Sequence, residues 1–75
     1  MGKKNYEITN NIRTLRFLAG EMTQQQLAEK ISASRQTIIA IEAGKYSPSL
    51  DLAFGIADAF NVPIGEVFIY KKIEE

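Results

Sequence analysis

No cysteine and no histidine occur among the 75 residues of this chain. Disulfides, thiolate sites and imidazole-bound metals, which brace many small domains, are therefore out of reach. A chain this short also buries only a modest share of its surface. It has to fold by matching apolar faces on short elements, helped by a second copy where its own core falls short. Hydrophobic residues make up 45% of it and charged residues 24%, a balance that suits one packed domain over residues 1–75. Serine and threonine are present, but no histidine can activate their hydroxyls as general base. No enzymatic activity, no metal and no cofactor are expected.

The apolar spacing is helical almost throughout and predicts an all-α fold of five helices. Ile8, Ile12, Leu15 and Leu18/Ala19 recur three or four residues apart, with Thr9 or Asn10 able to cap. This first helix stops near Gly20. Thr23 followed by Gln26 fits a capping box opening a second helix, whose apolar face is Leu27, Ala28 and Ile31. Ser32-Ala33 makes the turn. Ser34 caps a third helix, which ends at Gly44 in a left-handed stop. Beyond the loop 45–48, Ser49 caps a fourth helix with Asp51 in its first turn and a face of Leu50, Ala53, Ile56, Ala57 and Phe60. Pro63 opens a short fifth helix, and Ile64, Val67 and Phe68 close the core. The segment 68–73 reads either as a helix end or as a short strand with Phe68 and Tyr70 on one face. Residues 10–68 are the expected core, with 1–7 and 71–75 as loose ends.

No apolar run approaches the roughly 20 residues that cross a bilayer, and the N-terminus lacks the apolar stretch of a secretory signal. A cytoplasmic location, away from membranes, is expected. The net charge is zero, but it is unevenly spread. Residues 1–46 carry seven Lys/Arg against four Glu, and residues 47–70 carry Asp51, Asp58 and Glu66 with no Lys or Arg. The positive share falls in the part that holds the second and third helices.

Those two helices, residues 23–44, carry the functional signal. The third opens with Ser34-Arg35-Gln36-Thr37, side chains able to hydrogen-bond base edges and phosphates. Ile38 and Ile41 behind them are spaced to pin the helix to the core. A helix held by one face, with its polar N-terminal end free, can enter the DNA major groove. Taken singly, Ser34 is only a cap and Arg35 only a solvated charge. Their place at the head of this helix, after this turn, gives them meaning.

Leu15-Arg16, Met22-Thr23-Gln24, Leu27-Ala28, Ser34-Arg35-Gln36-Thr37-Ile38, Ile41-Glu42, Gly44-Lys45 and Pro48-Ser49-Leu50 closely resemble the helix-turn-helix domain of lambda-repressor and Cro-like regulators. The resemblance covers about residues 10–68, and small single-domain members of that family look most similar. It implies a sequence-specific DNA-binding transcriptional regulator, a repressor acting as a homodimer on double-stranded DNA. By position, Arg35, Gln36, Thr37 and Ala40 would touch bases. Gln24, Ser34, Lys45 and Tyr46 would touch phosphates, with Gln24 also reaching toward the start of the third helix. Arg16 and Glu42 match a structural pair tying the first helix to the third.

Three departures stand out. The turn Ala19-Gly20-Glu21-Met22 is one residue longer than the common form, Ala43 replaces an Asn often found before the glycine, and Ile39 is apolar where many relatives are polar. A reading from another class is a protein-interaction module on the same fold, an antitoxin or a bridge to the transcription machinery. The zero net charge speaks for it. The dimer surface expected on the first reading is the fifth helix or the segment 68–70.

Overall fold

The computed structural model of the chain describes residues 5–73. The order of elements is β1 (Tyr6–Asn10), α1 (Ile12–Leu18), α2 (Gln24–Lys30), α3 (Arg35–Glu42), α4 (Leu50–Phe60), α5 (Ile64–Val67) and β2 (Phe68–Lys72). Among the described residues there are five helices and one two-stranded antiparallel sheet. Its register pairs Tyr6 with Lys72, Ile8 with Tyr70 and Asn10 with Phe68.

The sheet changes the N-terminal reading. Ile8 lies in β1 rather than in the first helix, and it is half exposed. Asn10 stands where strand turns into helix. Its Oδ1 accepts from the Ile12 N–H at 3.2 Å, and its Nδ2 donates to the Ile41 carbonyl of α3 at 3.0 Å. Asn11, the residue before α1, donates its N–H to the Val67 carbonyl at 2.9 Å, which continues the sheet ladder inward. Residues 6, 7, 71 and 72, expected as loose ends, thus belong to the sheet, and the segment 68–72 is a strand. Lys3 and Lys4, counted with the basic N-terminal part, lie outside the described residues.

Helix boundaries follow local chemistry. Gln26 and Thr23 make both bonds of the capping box: the Gln26 N–H donates to Thr23 Oγ1 at 3.0 Å and the Thr23 N–H to Gln26 Oε1 at 2.9 Å. Ser49 Oγ caps α4 by accepting from the Leu52 N–H at 3.2 Å. Ile12, Leu27, Ile38, Ile41, Ile56 and Val67 are the largest fully buried side chains, and with Ala28 and Ala57 they form one core cluster. Each such burial contributes about 1.5–3 kcal/mol. The α4 face is narrower than its pattern implies, because Leu50 at the first helical position is 73% exposed. Leu18, on the last turn of α1, is likewise in solvent at 71%.

Candidate nucleic-acid interface

The turn between α2 and α3 is set by backbone geometry. Ser32 takes a left-handed conformation, with φ of 57°. The Ala33 N–H reaches back to the Ala28 carbonyl at 2.9 Å, and the Ser32 N–H to the Glu29 carbonyl at 3.4 Å. This pair of bonds is a Schellman stop. Ser34, only two residues on, is already the cap of α3: its Oγ accepts from the Thr37 N–H at 3.1 Å. Stop and start nearly adjoin, so the direction of α3 relative to α2 is tightly specified. At its far end α3 closes with the same device. Gly44 has φ of 76°, the Lys45 N–H meets the Ala40 carbonyl at 2.9 Å, and the Gly44 N–H meets Ile41 at 3.0 Å.

Along α3 the two sides separate cleanly. Ile38 is fully buried and Ile41 almost so, while Ser34, Arg35 and Gln36 are exposed. Thr37 is half-buried, and its hydroxyl shares a 2.9 Å hydrogen bond with that of Ser34. Ala40 is half-buried one turn after Gln36, on the same side of the helix. Lys45 and Tyr46 are exposed in the loop just past the helix. Ile39 is 38% exposed on the same helix. A rigid rod with a hydrophobic back and a free polar head has the shape and chemistry to enter a groove and present donors to base edges.

Arg16 and Glu42 meet. The guanidinium donates from Nε to Oε2 at 2.7 Å and from Nη2 to Oε1 at 3.0 Å. Its Nη1 donates to the Met22 carbonyl at 2.9 Å. One side chain therefore holds α1, the α1–α2 turn and α3 together. The longer turn supplies that carbonyl through a left-handed Glu21, with φ of 60°. Gln24 behaves differently from expectation. Its Nε2 donates to Glu42 Oε1 at 3.3 Å, so the side chain reaches the C-terminal end of α3 rather than its start. The cause is electrostatic: the half-buried Glu42 carboxylate is the strongest nearby acceptor.

Two residues not singled out from the sequence join this surface. An open cleft of about 820 Å³ is bordered by Arg13, Arg16, Gln24, Gln25 and Arg35. Arg13 lies one turn before Arg16 on α1, a spacing that could have flagged it. Among the described residues, Arg16–Glu42 is the one ion pair, so Arg13, Arg35 and Lys45 stand outside any ion pair, with Glu21 and Glu42 also bordering the cleft. No group of His, Cys, Asp or Glu among the described residues could hold a metal. No helix there is long and apolar enough to cross a membrane.

Residues 12–67 match the family model described as helix-turn-helix. An HTH-type transcriptional regulator of Methanocaldococcus jannaschii is 60% identical over 53 residues, covering 71% of this chain and 80% of its own length. Another, from Archaeoglobus fulgidus, is 49% identical over 63 residues, covering 84% and 89%. Among solved structures, a Bacteroides fragilis protein described as DNA-binding superposes with a TM-score of 0.70 at 28% identity. That match covers 81% of this chain and 97% of the other.

Proposed function

From the premise that the chain belongs to the helix-turn-helix family of Cro/C1 type, transcriptional regulators that bind DNA rather than enzymes, we propose that it is a repressor reading its operator as a homodimer. In this reading α3 lies in the major groove, and the two copies occupy successive grooves roughly 34 Å apart on a near-palindromic site. Arg35 takes guanine O6 and N7 in a two-pronged contact, and Gln36 takes adenine N6 and N7. Thr37 serves a neighbouring base, and Ala40 offers a methyl to thymine. Gln24, Ser34, Lys45 and Tyr46 meet phosphates and set the register. The Arg16–Glu42 pair stays inside the protein and holds α3 at its angle.

The observation that supports this best is the contrast along α3: Ile38 and Ile41 are sunk in the core, while Ser34, Arg35 and Gln36 stand in solvent.

Selection of bound fragments from random DNA tests the reading. Two half-sites of related sequence, centred about 10 base pairs apart, are expected. Affinity should fall with salt with a log–log slope of about −2, for one phosphate-neutralising cation, Lys45, in each of two subunits. Failure to enrich any sequence at low salt, together with capture of a specific protein partner, would favour an antitoxin or bridging role.

A further inference from the structure

We infer that the chain dimerises through the outer edge of β1, in a register centred on Ile8, so that two copies share one four-stranded antiparallel sheet. The inference rests on the homodimer proposed above and assigns its surface.

Two backbone bonds flanking the sheet fix which groups point outward. The Ile73 N–H donates to the Asn5 carbonyl at 2.9 Å, and the Asn11 N–H to the Val67 carbonyl at 2.9 Å. Hydrogen-bonded and non-bonded pairs alternate along an antiparallel ladder. With the observed register, Glu7–Lys71 and Thr9–Ile69 are the bonded pairs, and Ile8–Tyr70 is not. The N–H and C=O of Ile8 therefore face away from β2, along one edge of the ribbon. Those of Tyr70 face away along the other.

The two edges differ in character. β2 carries Lys71 and Lys72, cations of the kind that deter strand addition. β1 carries one charge, Glu7, which Lys71 already faces across the ribbon, and its centre is apolar. Two copies of β1 laid antiparallel about Ile8 complement each other. Ile8 exchanges both backbone hydrogen bonds with Ile8 of the second copy, and Glu7 falls opposite Thr9 of the second copy. No like charges fall directly opposite each other, and the two Glu7 stand only diagonally.

The same operation accounts for an uncovered apolar face. Asn10 and Phe68 mark where the ribbon joins the body: Asn10 bonds the Ile41 carbonyl, and Phe68 packs on the core. Ile8 and Tyr70 share their side of the sheet but lie further out, 53% and 64% exposed. A two-fold axis through the Ile8 pair, perpendicular to the sheet, keeps both bodies on this side. It sets Asn10 of the second copy opposite Tyr6, which brings the second body against the overhang. Tyr70, Ile8 and their two counterparts then form one apolar row across four strands.

Because the chain lacks cysteine, single-cysteine variants test this directly. Sedimentation velocity first reports the oligomeric state. Ile8→Cys, Tyr70→Cys and Phe17→Cys are then oxidised mildly and followed on non-reducing gels. Bonded self-paired residues sit about 5.5 Å apart at Cα, within disulfide reach, whereas Tyr70 and its counterpart are three strand spacings apart, about 14 Å. The expected result is a dimer in which Ile8→Cys cross-links at least about tenfold faster than the other two. Ile8→Lys should be monomeric at concentrations where the parent is dimeric. Faster cross-linking at Tyr70→Cys, equal rates at all three sites, or a dimeric Ile8→Lys overturns the edge assignment while leaving the homodimer standing. A parent chain that is monomeric throughout overturns both.

Discussion

Arg16→Met removes a guanidinium that joins three parts of the chain while keeping most of the aliphatic volume. Its side chain is 15% exposed and that of Glu42 is 12% exposed. Solvent-exposed ion pairs contribute about 0–1 kcal/mol, while breaking a buried one costs about 3–5 kcal/mol. This pair is mostly buried yet touches water, so a loss of about 2–3 kcal/mol is expected. Three charge-assisted bonds disappear at once, leaving Glu42 with only the amide of Gln24 and the Met22 carbonyl without its donor. A chain of this length has about 4–11 kcal/mol of stability in total. At about 4–8 °C per kcal/mol, the melting temperature should fall by about 10–20 °C. Thermal unfolding by circular dichroism measures it, and a double-mutant cycle with Glu42→Gln should return a coupling of about 1–3 kcal/mol. Affinity for DNA should fall together with stability, because α3 loses its tie to α1. A variant that loses affinity while its melting temperature moves by less than about 2 °C would refute the reasoning and make Arg16 a direct DNA contact.

Two further substitutions probe the turn and the head of α3. Ser32→Gly relieves a left-handed serine at the Schellman position; it should raise stability by up to about 1 kcal/mol in urea unfolding, and a fall would mean the serine side chain supports the turn. Ser34→Ala removes the α3 cap and should cost about 1 kcal/mol of stability in the same assay. It should also weaken DNA binding at every sequence alike, whereas a sequence-dependent loss would make Ser34 a base contact.

The middle of the chain was legible because its signals are local. Thr23, Ser34, Ser49 and Gly44 end or begin helices through bonds to residues at most five positions away. Leu27, Ala28, Ile38 and Ile41 recur at helical spacing because one side of each helix faces the core. β1 was hidden for the opposite reason. Ile8 and Ile12 stand four residues apart, as on a helix, and what makes 6–10 a strand is a partner near the other end of the chain. Leu50 and Leu18 misled because an apolar residue in the first or last turn of a helix can satisfy the spacing and still overhang the core. In the site, the Arg16–Glu42 contact was legible through resemblance. The turn of Gln24 toward Glu42 was not, since it depends on a carboxylate that only the fold brings near. For Arg13 the spacing to Arg16 is the one local signal, and the cleft that gives it a place exists only once α1, α2 and α3 are assembled.

The central claim is that the exposed head of α3 reads bases. The most direct test is a titration of parent and Arg35→Ala against the selected operator and every single-base variant of one half-site, by fluorescence anisotropy at fixed salt. Loss of the guanidinium should cost about 1–3 kcal/mol on the operator, and preference should relax at one base pair per half-site while the others keep theirs. An equal loss on every variant, with the base preferences of the parent intact, would contradict it and leave Arg35 a backbone contact.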